Sequence, residues 1–287
     1  MSKLEVKLKP WHQDLCEYYG VSPEQALKLG TRAKGRKPDL PGSSTCEAVG
    51  NMTLEDIWES RDRNNIQDVF DFYKDQGAWS AFRQCVRHKD LVQLHINFVL
   101  PHIAAGSHVC EYGAGVAPYM STLIQCLTPS APLDISIADV DCEHFTFAKW
   151  RLSKMKEEKQ MDDLSITPYT IQVDELPKFH KPLDLVTIFE VLEHTPDPVA
   201  VVENIHDQMN ENAILIENFI LAPDVLEAPE FDGPDLRSAA LLRDDYLAYV
   251  NDNFDLVSDQ DGNPNATRMW RKKPQTQSSS FFEMRLS

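Results

Sequence analysis

The sequence predicts an α/β protein, a seven-stranded, mostly parallel sheet with helices on both faces, behind a mainly helical N-terminal extension. Two observations carry that expectation. After Gly106, short apolar runs of strand length alternate with longer stretches of helical periodicity, the pattern that right-handed βαβ crossovers leave in a sequence. Before Gly106, regular periodicity is helical wherever it occurs. With 42% apolar residues over 287 positions, the chain has material for a full core, which excludes wholesale disorder.

Residues 1 to about 53 are mixed in character. Lys28, Arg32, Lys34, Arg36 and Lys37 form a basic run with no intervening acid, and Pro38 to Gly42 follow it, a composition that suits a solvated linker. Thr53 with Asp56 three residues on resembles a helix-capping signal. Over 79–100, Phe82, Val86, Leu94 and Phe98 recur at helical spacing, and Pro101 is expected to end that helix. His88, His95 and His102 share this stretch at intervals of seven. Residues seven apart on a helix are separated by about 10.5 Å, too far to share one ion through bonds of about 2 Å, so no metal site is read there.

Strands are predicted at 107–111, 134–139, 166–173, 183–189 and 213–219, with two late ones near 254–258 and 267–272. A helix over 141–161 places Phe145, Ala148, Leu152 and Met155 on one face. Another starts at Asp197 as N-cap with Pro198 in its first turn. A last one spans 236–250. The predicted organisation is a helical extension with a basic linker over 1–104, a ligand-binding α/β domain over 105–273 and a flexible tail over 274–287.

The formal charge is -17, from 28 Lys and Arg against 45 Asp and Glu. Residues 1–100 hold 14 bases and 14 acids and contribute nothing to it. Between Glu190 and Asp261 there are 18 acids against Arg237 and Arg243 alone. That region disfavours nucleic acid and anionic lipid and suits a neutral or cationic partner, although solvation in a saline habitat explains the same excess. Six cysteines at wide gaps, with no C-x-x-C pair, read as free thiols of a reducing compartment. No secretion signal and no apolar stretch near 18 residues is present, so the expected location is the cytoplasm, without a membrane partner.

The chemistry-bearing residues sit where predicted strands end. Val109-Cys110-Glu111-Tyr112-Gly113-Ala114-Gly115-Val116 runs from the first strand towards a helix, with glycines for a tight turn against a ligand. Pro118 stands where a dinucleotide fingerprint needs Gly or Ala, and Glu111 is awkward beside a diphosphate but suits an ammonium group, which makes a nicotinamide-dependent oxidoreductase a poor reading. Asp139 ends the second strand, 24 residues beyond Gly115, where a carboxylate accepts from ribose hydroxyls. Asp141 competes for that role but is also placed to cap the next helix. Asp174 closes the third strand, and Phe189-Glu190-Val191-Leu192-Glu193-His194 follows the fourth.

Taken in order, Glu111-x-Gly113-x-Gly115, Asp139, Val173-Asp174 and the Val191-Leu192-Glu193-His194 segment resemble the class I S-adenosylmethionine-dependent methyltransferases, over roughly residues 105–272. The resemblance implies a Rossmann-like sheet whose seventh strand is antiparallel, with S-adenosylmethionine bound across the carboxyl ends of the strands. It implies that Glu111 holds the methionine amino group, that Tyr112, Gly113, Ala114 and Gly115 pack against methionine and ribose, and that Asp139 takes the ribose hydroxyls. Val140 would lie against the adenine, the backbone of Val173 and the side chain of Asp174 would bind its edge, and Glu190 would face the methionine. Ala117 departs from the fuller glycine pattern of the family.

For the reaction, direct in-line displacement without a metal is expected, since the departing thioether is neutral. His194 is the candidate base, with a structural role as the alternative. Tyr73, Trp79, Glu193 and Asn218 are candidates for holding the acceptor, with Glu217 a weaker one, and the aromatic group Phe70, Phe72, Tyr73, Trp79 and Phe82 would line a pocket under a lid or else form helix core. The expected acceptor is an oxygen or nitrogen of a small molecule, such as a sugar or natural-product intermediate. The competing readings are methylation of a basic protein or peptide and a non-catalytic ligand-binding module. A homodimer is compatible with the sequence.

Overall fold

The computed structural model of the chain describes residues 11–31, 60–62, 65–78, 80–85, 96–97, 99–128, 132–220, 236–259 and 267–274. Within them, strands β1 (His108–Tyr112), β2 (Leu133–Val140), β3 (Leu164–Ile171), β4 (Leu183–Phe189), β5 (Met209–Asn218), β6 (Phe254–Asp259) and β7 (Arg268–Lys272) form one sheet in the order β3-β2-β1-β4-β5-β7-β6. The first five pair in parallel, and β7 runs antiparallel to both β5 and β6. The order reverses between β1 and β4, and such a switch point opens a crevice at the carboxyl ends of the strands.

Strand alternation divides the core between two helical layers. Val109, Ile135 and Ile137 pack with Met120 and Leu123 of α4 (Pro118–Cys126) and Phe145 and Leu152 of α5 (Glu143–Glu158). Their strand neighbours Cys110, Tyr112 and Ala138 face the other way. There they meet Val201 and Ile205 of α6 (Pro198–Asp207) and Tyr246 and Val250 of α8 (Arg243–Asn253). With helices on both faces, all eight residues of β2 are buried, the polar Asp134, Ser136 and Asp139 among them.

The N-terminal region contributes α1 (Trp11–Tyr19), α2 (Pro23–Thr31), α3 (Ile66–Asp75) and a helical turn over 80–85. Leu15, Phe82 and Phe147 form a third apolar cluster, with Tyr18 edge-on to Phe147 at 5.4 Å, which seats α1 against α5. Beside it, the carboxylate of Asp14, wholly buried, accepts from Arg151 Nε at 3.1 Å.

Several boundaries depart from the sequence expectation. The helix expected over 236–250 is two, α7 (Arg237–Leu241) and α8, because Leu242 takes non-helical angles. β5 starts at Met209, in a polar segment containing Asn212 with φ of 62°, so its first turn of chain lacked strand alternation. α5 is capped by Cys142, not Asp141, whose exposed carboxylate lies 3.8 Å from Lys149 Nζ. β3 ends at Ile171, leaving Val173 and Asp174 in the following loop. Pro101 stands inside a 3-10 turn (Leu100–His102). The capping signal at Thr53, the basic run beyond Thr31, His88, His95, Trp79, Cys46 and the tail after Pro274 lie outside the described residues. Cys16, Cys85, Cys110, Cys126 and Cys142 are free thiols. Among the described residues no helix is long and apolar enough to cross a membrane.

Candidate active site

At the switch point lies a cavity of about 410 Å³. Its floor is the turn that follows β1. Gly113 N and Ala114 N both donate to Ala138 O, at 2.8 and 3.0 Å, which folds the turn back over the end of β2. Gly113 has φ of +66°, and a Cβ there would sit 2.1 Å from Val191 Cγ2. Both the backbone angle and the close approach of the post-β4 segment demand glycine. Gly113→Ala is therefore expected to cost about 2–3 kcal/mol of folding stability. A denaturant melt checks this, and a loss below about 0.5 kcal/mol would show that Val191 yields without cost. Ala117 also has a left-handed backbone, φ of 49°, which is the physical reason for glycine in the family's fuller pattern.

Glu111 and Asp139 fasten this turn. Glu111, at the end of β1, accepts from Tyr119 N at 3.2 Å and Met120 N at 2.9 Å, so it occupies the first turn of α4. Asp139 accepts from Gly115 N and, at 2.7 Å, from Val140 N. Burial pushes Glu111 up to about 8, against the pull of the two amide bonds, and pushes Asp139 up to about 6. Burial lowers neighbouring His144 to about 4.

These displacements have a pH consequence with a defined sign. A carboxyl raised by folding stays protonated while the unfolded chain ionises, so Glu111 removes stability as pH climbs from its ordinary 4.5 towards 8. His144 acts oppositely between about 4 and its ordinary 6.5, where the unfolded chain binds the proton and stability rises with pH. Glu111 is thus unopposed by His144 from about pH 6.5 to 8, where the ligand-free protein should lose about 2 kcal/mol. Urea melts across that range check it. Glu111→Gln should flatten the profile, and an unchanged slope in that variant would remove Glu111 as the cause.

The cavity gathers residues from separate strand ends. Glu111, Tyr112, Gly113, Ala114, Gly115, Asp139, Val140, Val173, Asp174 and Glu190 all line it. Glu190 follows β4 with a left-handed backbone, φ of 55°, and its amide donates to Asn218 Oδ1 at 2.6 Å. His194, in a 3-10 turn (Leu192–His194), and Tyr73 of α3 line the cavity as well, beside Phe70 and Phe72. Phe82 instead belongs to the buried cluster under α1.

Three acceptor-side candidates lie outside the cavity lining. Asn218 is buried away from the cavity lining and holds the Glu190 backbone instead. Glu193 also lies outside the lining, its Oε1 3.9 Å from His194 Nε2 and its carbonyl accepting from Leu236 N at 2.8 Å. Glu217 is wholly buried in an ion pair, accepting from Arg268 Nε at 2.7 Å and Trp270 Nε1 at 2.8 Å. Trp79 lies outside the described residues.

Sequence reasoning missed the contribution of residues 80–85 and of α5. Gln84 Oε1 accepts from Val116 N at 3.2 Å and fills the space over Gly115 where a Cβ would be. Ser80 Oγ lies 2.9 Å from His144 Nδ1, and His144 Nε2 lies 3.0 Å from Cys142 Sγ. Ser80, Gln84 and His144 all line the cavity. No local pattern announces such contacts, since Ser80 and His144 are 64 residues apart.

A family model described as a methyltransferase domain matches residues 86–259. Solved structures similar to the chain include the MccD protein, at 14% identity, covering 62% of this chain and 96% of that one with a TM-score of 0.43. An O-methyltransferase family 2 protein from Planctomyces limnophilus in complex with apigenin has 16% identity, 68% and 62% coverage and a TM-score of 0.42. The glycopeptide N-methyltransferase MtfA, complexed with S-adenosyl-L-homocysteine, has 8% identity, 64% and 87% coverage and a TM-score of 0.44. No curated protein sequence matches the chain.

Proposed function

This chain belongs to the methyltransferase-domain family, and from that premise we propose that it binds S-adenosylmethionine and moves the methyl group to an oxygen or nitrogen of a small molecule. The observation that carries the reading is a single cavity at the β1–β4 switch point into which two buried carboxylates, Glu111 and Asp139, open beside a glycine turn. The donor set fits the cofactor. Glu111 suits the ammonium of the methionine, Asp139 the vicinal ribose hydroxyls, and Val140 with Val173 and Asp174 an adenine with its amino edge. When bound, S-adenosylmethionine supplies a methyl group on a positively charged sulfur.

The chain's own task is then to position and to dry the acceptor. Tyr73 and Phe70 on α3, with Phe189 at the end of β4, give the cavity apolar walls that exclude water and favour an acceptor of small-molecule size. His194, lining the same cavity, takes the proton that leaves an acceptor hydroxyl or ammonium, and the Glu193 carboxylate 3.9 Å away favours the resulting imidazolium. The acidic stretch from Glu190 to Asp261 supports a neutral or cationic acceptor over nucleic acid. A cytoplasmic location and a homodimer belong to the same reading.

Calorimetry with S-adenosylmethionine and with S-adenosylhomocysteine tests the first step. Absence of binding by both would overturn the reading. Mass spectrometry of a metabolite extract incubated with methyl-labelled cofactor tests the second. Label in a small molecule supports it, label only in protein favours the basic-peptide acceptor, and binding without any labelled product favours a module that holds the ligand without turnover.

A further inference from the structure

At the opposite end of the strands, the amino ends of β1 and β2 hold a group that the methyl-transfer reading does not use. His108 and Asp134 are register partners in the parallel β1–β2 ladder, so their side chains project from the same face as neighbours. His180, from the loop between β3 and β4, closes the triangle. One donor atom from each of the three lies within 4.8 Å of the others.

We propose that His108, Asp134 and His180 form a zinc site that clamps the β3–β4 loop to the base of the sheet. The argument starts with the tautomer of His108. Its Nδ1 lies 3.1 Å from two backbone carbonyls, Lys181 O and Pro182 O, which only accept, so Nδ1 carries the proton. Nε2 therefore presents its lone pair, now 2.7 Å from the Ser136 hydroxyl. A ring nitrogen backed by a carbonyl on its far side is the arrangement that orients a metal-binding imidazole.

Asp134 supplies the charge. Its side chain is nine-tenths buried, and its Oδ1 is buried with no hydrogen-bond partner among the described residues. A buried carboxylate oxygen left without a donor is costly, and a cation satisfies it. Its Oδ2 accepts from His180 Nε2 and from Lys181 Nζ, both at 2.8 Å. The lysine is 41% exposed and occupies the carboxylate as a monovalent stand-in that a divalent ion displaces. His180 is similarly exposed, with Nδ1 2.7 Å from the Tyr169 hydroxyl, ready to be backed by it once Nε2 gives up its proton to bind metal.

Two imidazoles and a carboxylate are a zinc donor set, and tetrahedral zinc holds its donors roughly 3.4 Å apart, so the exposed His180 closes the remaining gap. The loop concerned begins with Val173 and Asp174 at the cavity and ends with His180 and Lys181 here. Zinc would thus stiffen one wall of the cavity from its far end, without touching the reacting atoms.

The test uses the full chain without an affinity tag, dialysed against a chelator and titrated with zinc chloride by calorimetry. One equivalent should bind, and cobalt(II) at the same site should give the visible absorption of a tetrahedral ion. His180→Ala should weaken zinc at least about tenfold, and Lys181→Ala should tighten it, because the competing ammonium is gone. Cys142→Ser should leave binding unchanged, separating this site from the Cys142–His144 pair at the cavity. No saturable binding, or equal binding by wild type and His180→Ala, would overturn the proposal. If His180→Ala lacks the wild-type circular dichroism, Asp134→Asn takes its place under the same criterion.

Discussion

Replacing Asp139 by alanine should weaken binding of S-adenosylhomocysteine at least about a hundredfold, the equivalent of two charge-assisted hydrogen bonds. The expectation rests on where the carboxylate points. It lies at the end of β2, 9% exposed, on the wall of the cavity, with one oxygen held by Gly115 N and the other by Val140 N. Those amides fix its orientation, and each oxygen keeps a lone pair for a ribose hydroxyl. The substitution removes the ribose partner and leaves the Gly115 amide of the turn unsatisfied, so affinity and stability should fall together. Asp139→Asn separates the two effects. It preserves the volume but turns one acceptor into a donor facing an amide N–H, and should still lose most of the affinity. Asp141→Ala is the control, because that side chain is 68% exposed and paired with Lys149. Calorimetry decides the matter. Wild-type affinity in Asp139→Ala would refute the ribose role, and a comparable loss in Asp141→Ala would move the role to that residue.

The strand positions and the strand-end carboxylates were legible because both follow from local rules. A strand covered on both faces is rich in apolar residues, and a parallel strand must end where a crossover begins, so the expected strand 183–189 coincides with Leu183–Phe189. The capping role of Asp197 was equally local, and its carboxylate accepts from Ala200 N at 2.9 Å. What stayed illegible depends on tertiary packing. Nothing near Leu242 breaks a helix by propensity, yet the helix breaks there. The polar Asn210, Glu211 and Asn212 carry no strand pattern and stand in an irregular stretch of β5, where the β4 register jumps from Met209 to Ile214. Within the candidate site, Glu193 and Asn218 lie outside the cavity lining, and nothing local in their sequence distinguishes them from His194 and Glu190, which line it. Gln84 and His144 became visible only once the N-terminal residues were seen packed across the sheet domain.

That packing yields the second large expected effect. Asp14→Ala should destabilise the protein by about 3–5 kcal/mol, although Asp14 lies far in sequence from every strand. The Arg151 guanidinium is 6% exposed, and arginine stays charged at any accessible pH, so it cannot shed the cost of burial by losing a proton. Its Nε donates to Asp14 Oδ2 at 3.1 Å, and Lys154 Nζ lies 3.6 Å from Asp14 Oδ1. Removing the carboxylate leaves the buried Arg151 guanidinium without its ion-pair partner, whereas Lys154 keeps Glu17 and, at 3.5 Å, Glu158. The pair itself is worth much less than its rupture, so Asp14→Leu combined with Arg151→Met should recover most of the loss. Glu17→Ala, which removes one of two exposed partners of Lys154, should cost less than about 1 kcal/mol. Urea melts of the wild type and the three variants test this, and an Asp14→Ala cost below about 1 kcal/mol would mean that solvent reaches Arg151 once α1 loosens. The residues of 80–85 share the apolar cluster with α1 and bring Ser80 to His144 and Gln84 to the glycine turn. Asp14→Ala should therefore also weaken S-adenosylhomocysteine binding, while the compensated double variant should not. An affinity unchanged in Asp14→Ala, despite the lost stability, would show that the cavity keeps its shape without α1.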